Sequence, residues 1–239
     1  NSAAGVTDYR KIMPVLERME KIGMPFLMHG EDVDPDIDIF DREAMFIERY
    51  LFKWTRQFPG LRFILEHLSS KEGVDFVRSA VPQVGGTITP YHMILTRTDW
   101  LGWGLKPYMY CMPVIKTAKD RAALRQAATS GEACYFLGTD SAPHPVKKKL
   151  STNGIPGIYN TPVCMAVYAK VFEEEDAARH KLDRLIKAEG RWAVEGISAR
   201  RRRNQSIAAC PRGWPCPCRG PRSRRRRRTA RRAARHATP

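Results

Sequence analysis

Apolar positions along this chain fall into two alternating rhythms. From about Tyr9 to Lys21, residues Ile12, Val15, Leu16 and Met19 recur three or four apart, with Thr7 or Asp8 able to cap the start and Gly23 just past the end. That spacing predicts a helix. Pro25-Phe26-Leu27-Met28 is a short apolar run, read as a buried strand that delivers His29, Gly30 and Glu31 at its end. After the acidic loop Asp32 to Asp38, a second helix is predicted over about Asp41 to Phe58, with Ala44, Ile47, Leu51 and Trp54 on one face and Pro59-Gly60 as its stop. Arg62 to Leu65 predicts the next strand, ending at Glu66 and His67, and Ser69 or Ser70 caps a helix through about Ala80. Val84 to Thr89 predicts a third strand, running into Pro90-Tyr91-His92. Met93 to Ile115, with Gly102, Gly104, Pro107 and Pro113, reads as loop. Lys119 to Thr129 reads as helix with Gly131 as its stop, and Cys134 to Leu137 as a fourth strand.

Short apolar strands alternating with helices call for a parallel sheet with helices packed outside it. Successive strands of a barrel open on one mouth. Three of the four predicted strands end in His29, His67 and Asp140, and the other ends near His92. A single His at a strand end is more often a satisfied structural residue, and Glu31 and Glu66 read equally as solvated acids or as groups that orient a ligand. The joint placement of two imidazoles and a carboxylate is what suits Zn²⁺ or a similar divalent metal. A carboxylate beside metal-activated water can take its proton and pass it to a leaving nitrogen, which suits Asp140. His144, one turn further out, can hold an anionic substrate. Lys147 to Lys149 reads as a solvated basic turn.

Charge changes the picture only at one end. The 239 residues carry a formal +16, yet residues 1–190 hold 25 Lys and Arg against 24 Asp and Glu, while residues 191–239 hold 16 Arg against Glu195 alone. The body is neutral, which argues against a nucleic-acid-binding surface on it, and the tail is basic. No apolar run approaches the roughly 20 residues needed to span a bilayer, and the first residues lack a signal-peptide pattern. Cys111, Cys134 and Cys164 read as reduced, partly buried thiols, and Cys210, Cys216 and Cys218 match no zinc spacing. A cytoplasmic setting is expected.

Gly23-Met24-Pro25 through His29-Gly30-Glu31, Asp36 through Ala44, Glu66-His67, Thr87-Ile88-Thr89-Pro90, Lys106-Pro107, Cys111-Met112-Pro113 and Gly138 through His144 together resemble dihydroorotase. The similarity is to the single-function bacterial type of the amidohydrolase superfamily, and it runs from Asn1 to about Glu175. The resemblance implies a partial TIM (β/α)8 barrel, about strands five to eight, over residues 1–181, followed by an unmatched Arg-rich tail over 182–239. It also implies a two-zinc site that interconverts N-carbamoyl-L-aspartate and dihydroorotate in pyrimidine synthesis, in a protein that is a homodimer when intact. On this resemblance His29 and His67 ligate one zinc, and Asp140 ligates the other and shuttles the proton. Substrate contacts fall to His29, the backbone at Met112, His144, and Pro156, which stands where the family has a small residue and has no N–H to donate.

The family's His-x-His pair with its Arg, and its carboxylated Lys, have no counterpart in these 239 residues. The expectation is a chain without turnover by itself, insoluble or self-associating through its two unpaired edges and uncovered core face unless complemented. Two other functions stay open: a nucleic-acid-binding protein acting through the Arg-rich tail, and a non-catalytic partner completing another barrel. The tail itself reads as a phosphate-binding arm or as a GC-rich gene translated out of frame.

Overall fold

The structure is a computed structural model and describes residues 5–188. The basic tail, with Cys210, Cys216 and Cys218, lies outside the described residues. Four strands, β1 (Phe26–Met28), β2 (Phe63–Leu65), β3 (Val84–Ile88) and β4 (Tyr135–Leu137), form one sheet in the order β1-β2-β3-β4. Every pairing is parallel, with Phe26 opposite Phe63, Phe63 opposite Val84, and Gly86 opposite Tyr135. Parallel neighbours require crossover connections, and helices supply them.

The helices begin with a 3-10 turn, Tyr9–Ile12, capped by the Asp8 carboxylate, which continues into α1 (Met13–Ile22). The second predicted helix is one helical run in three parts: α2 (Arg42–Phe46), a π turn (Ile47–Leu51) and α3 (Phe52–Gln57). Phe46, Tyr50 and Trp54 lie along it and all pack against the Tyr9 ring, at centroid distances of 5.8, 4.6 and 5.4 Å. Next comes α4 (Lys71–Ser79), whose N-cap Ser70 accepts from the Gly73 N–H.

The region 93–115, expected to be loop, is not all loop. It follows directly on α5 (Pro90–Ile94) and contains α6 (Arg97–Leu101) and a 3-10 turn at Pro107–Met109. Pro90 sits in the first turn of α5 behind the Thr89 cap, where its missing N–H costs nothing. In α6 a capping box between Thr96 and Asp99 closes the start. The remaining helices are α7 (Ala118–Ser130), α8 (Val146–Lys149) and α9 (Cys164–Glu174). Residues 179–188 are helical too, across the expected division at 181/182.

Because successive strand side chains point to opposite faces, the sheet sorts its residues. Phe63, Leu65, Val84, Ile88 and Tyr135 face the main core with Leu16, Phe46, Leu51, Val77, Leu124 and Tyr168. Ile64 and Phe136 form a separate buried cluster with Ala188. Leu27, in register with Ile64, is 52% exposed. Tyr168 on α9 donates from its hydroxyl to the Ile88 carbonyl at 2.5 Å, fastening α9 to the end of β3. Among the described residues no helix is long and apolar enough to cross a membrane.

Candidate metal and substrate site

The carboxyl ends of the strands open onto a cleft of about 420 Å³ lined by Leu27, Met28, His29, Glu66, His67, Thr87, Gly138 and Asp140. His29, His67 and Asp140 are thus brought to one place. His29 Nδ1 and His67 Nε2 lie 3.1 Å apart, and His29 Nε2 is 2.8 Å from Glu31 Oε2. His67 is buried, and its Nδ1 has no hydrogen-bond partner. Burial, followed by the neighbouring His29 and His92, pulls its pKa well below the ordinary histidine value, so the ring is neutral and able to act as a ligand.

The backbone at His67 is in an uncommon conformation. His67 has φ +44° and Asp140 φ +41°, left-handed conformations that non-glycine residues adopt at a cost of about 1–3 kcal/mol each. The His67 N–H donates to Thr87 Oγ1 at 2.5 Å, and that hydroxyl donates onward to Glu66 at 2.8 Å. Just beyond, the buried Glu43 carboxylate accepts from the N–H and hydroxyl of both Ser69 and Ser70, at 2.5 to 3.0 Å. The buried Lys116 ammonium donates to Ser69 Oγ at 2.6 Å. This network fixes the β2–α4 turn that carries His67. Sequence spacing does not reveal it, since Glu43 and Lys116 lie 26 and 47 residues from Ser69.

Asp140 accepts from the Tyr91 hydroxyl at 2.5 Å, a contact that the strand-end pattern does not foresee. Its pKa is raised by burial, against the opposing influence of the Tyr91 hydrogen bond and of His29. His92 takes no part in the cleft. It is buried in α5, bonded to Thr89 Oγ1 at 2.9 Å and to the Pro113 carbonyl at 3.1 Å. His144, Met112 and Pro156 lie outside the cleft lining, although His144 Nε2 and the Pro156 carbonyl meet at 3.0 Å.

Two nitrogen ligands of a tetrahedral zinc, each about 2.0–2.1 Å from the ion, stand about 3.3 Å apart. The 3.1 Å between His29 Nδ1 and His67 Nε2 fits that spacing, and so does the neutral state of His67. The pair therefore fits as two ligands of a divalent cation. Among the described residues no three His, Cys, Asp or Glu side chains form a set able to hold a metal ion, so further ligands are needed. A larger groove of about 880 Å³ opens at the amino ends of the strands, where Arg62 lines it beside Arg78 and Glu132, which pair with each other.

No protein-family model matches the chain. A dihydroorotase of Synechococcus sp. (strain RCC307) is 53% identical over 180 residues, covering 75% of this chain and 52% of that protein. Over that span the chain is similar to dihydroorotases. A dihydroorotase of Coxiella burnetii is 48% identical over 195 residues, covering 82% of this chain and 55% of its own length. That match is too long to stop at residue 181. The crystal structure of dihydroorotase from Saccharomyces cerevisiae in complex with 5-fluoroorotic acid superposes with a TM-score of 0.73 at 31% identity, over 82% of this chain and 57% of that one. An L-hydantoinase from Arthrobacter aurescens shares the fold at 17% identity, with a TM-score of 0.67. The chain spans about half the length of the curated relatives it matches. Dihydroorotases are generally metal-dependent, act on small molecules, and belong to pyrimidine biosynthesis. The described residues form part of a (β/α)8 barrel.

Proposed function

We propose that this chain carries part of a dihydroorotase active site, for the reversible cyclisation of N-carbamoyl-L-aspartate to dihydroorotate with loss of water. The observation that carries the proposal is the convergence of His29, His67 and Asp140 on one cleft at the carboxyl ends of parallel strands. His29 and His67 would hold a zinc ion, the second ion of a two-zinc site taking Asp140 as a ligand. When bound, such a cation makes water more acidic and polarises an amide carbonyl. Asp140 takes the proton from water in the hydrolytic direction and returns it to the ring nitrogen as the C–N bond breaks. In cyclisation the same carboxylate removes the nitrogen's proton as water departs. Its raised pKa brings it closer to the neutral range in which a proton shuttle works best. The His29 ring also faces the cleft where substrate sits. His144 holds the substrate carboxylate, with the backbone at Met112 and the Pro156 turn beside it.

The 239-residue chain by itself is expected to show no turnover with added zinc. Co-expression with the portion of the Synechococcus relative that the chain does not span should restore activity, and Asp140→Asn should lower it by at least about 100-fold. Turnover by the chain alone equal to that of the reconstituted pair, or an Asp140→Asn pair as active as the original, would overturn the assignment. The homodimer and a cytoplasmic setting belong to this same reading, and the free thiols of Cys111, Cys134 and Cys164 accord with a reducing compartment. Nucleic-acid binding would fall to the 16 arginines after Gly190, and filter binding with and without residues 191–239 tests it.

A further inference from the structure

Spacing alone places Lys147, Lys148 and Lys149 in water. Lys147 and Lys148 are exposed, but Lys149, the last residue of α8, is only 5% exposed. Its Nζ donates to the carbonyls of Tyr110 at 2.7 Å, Ile155 at 2.9 Å and Gly157 at 2.6 Å. An ammonium has three N–H donors and no acceptor, so backbone carbonyls satisfy it completely. Three carbonyl dipoles aimed at one point repel each other unless a cation sits between them.

The donors of those carbonyls are not arbitrary. Tyr110 stands two residues before Met112, and Ile155 and Gly157 flank Pro156, whose own carbonyl meets His144 Nε2 at 3.0 Å. The Gly157 N–H also donates to the Tyr110 carbonyl at 2.9 Å. The turn is closely packed: Gly157 has φ +136°, and a Cβ there would lie 2.9 Å from His144 Nε2 and 2.7 Å from the Ala142 Cβ. Ser141 bridges to Ile158 on the other side of the same loop.

We propose that Lys149 is the positioning residue of the substrate pocket, its ammonium gathering the carbonyls of Tyr110, Ile155 and Gly157 so that the Met112 backbone and the His144–Pro156 pair share one fixed geometry. The proposal rests on the substrate roles given above to Met112, His144 and Pro156. Lys149 touches no reacting atom, and its donors are already taken by the backbone. It therefore sets where an anionic substrate is held without binding it.

The test is hydrogen exchange, followed by mass spectrometry, on the full 239-residue chain and its Lys149→Met variant. Amides of 107–113 and 141–160 should exchange at least about tenfold faster in the variant, with those of β2 and β3 unchanged. Zinc affinity at His29 and His67, titrated in the same samples, should not move. Unchanged loop exchange, or faster exchange spread evenly over the sheet, would overturn the proposal. If Lys149→Met does not fold, Lys149→Gln, which keeps two N–H donors, is read in the same way. Failure of both to fold also overturns it, since the ammonium would then support the whole fold. Binding of N-carbamoyl-L-aspartate, measured alongside, reads on the substrate assignment alone. If the loops loosen in the variant and neither protein binds the ligand, Lys149 still holds the loops and the substrate reading falls.

Discussion

His92 shows how one residue can resemble a ligand and serve the fold instead. Its Nε2 meets a carbonyl, which only accepts, so Nε2 carries a proton and Nδ1 is the nitrogen that titrates. Burial first, then nearby Lys116, pulls its pKa down to about 3. An unfolded chain takes up the second ring proton near pH 6.5, whereas the folded chain does not until about pH 3. The stability tied to the neutral ring is thus complete above pH 6.5 and is lost as pH falls toward 3, by up to about 1.4 kcal/mol per unit. Urea unfolding of wild type and His92→Gln at pH 7 and pH 4 measures this. The wild-type advantage should shrink by about 3 kcal/mol at the lower pH, and an unchanged gap would mean that the ring titrates normally. The pattern of strand ends could not distinguish His92 from His67, because the difference lies in partners. Thr89 and Pro113 occupy both nitrogens of His92, while His67 Nδ1 is left without one.

Elements were legible wherever the local signal was the one that won. The four strands are short apolar runs bounded by Gly, Pro or charge, and the structure places each within a residue or two of its predicted span. Caps at Asp8, Ser70 and Gly23 act as their residue types suggest. What could not be read was the element fixed from a distance, the β2–α4 turn held by Glu43, while α5 has a local Thr89 cap that the sequence reading passed over. That turn yields a prediction. Glu43→Ala would strip four donors of their acceptor in a buried setting. It should cost about 2–4 kcal/mol in denaturant unfolding. A loss under 1 kcal/mol would show that the seryl and backbone donors find other acceptors. Lys149 was misread for the same physical reason, since its carbonyl partners lie up to 39 residues away.

At the scale of the whole molecule, β1 and β4 end the sheet. Leu27 on β1 stands half exposed in register with the buried Ile64. A strand with a free edge and an apolar side chain is a template for further pairing. Sedimentation of the purified chain should therefore show species heavier than 27.2 kDa, and Leu27→Lys should shift them toward monomer. A wild-type chain that sediments as a clean monomer would mean that this edge is covered in solution.

The left-handed backbone at His67 and Asp140 has a practical consequence for anyone dissecting this site by mutation. Asn, Asp, His and Gly tolerate that region of conformational space, and β-branched residues do not. A saturation library at either position would thus mix two penalties, one for lost chemistry and one for a backbone that can no longer turn. Val, Ile and Thr would score as inactive at both positions whatever the reaction requires. Asn and Gly are the replacements whose effects report on chemistry alone.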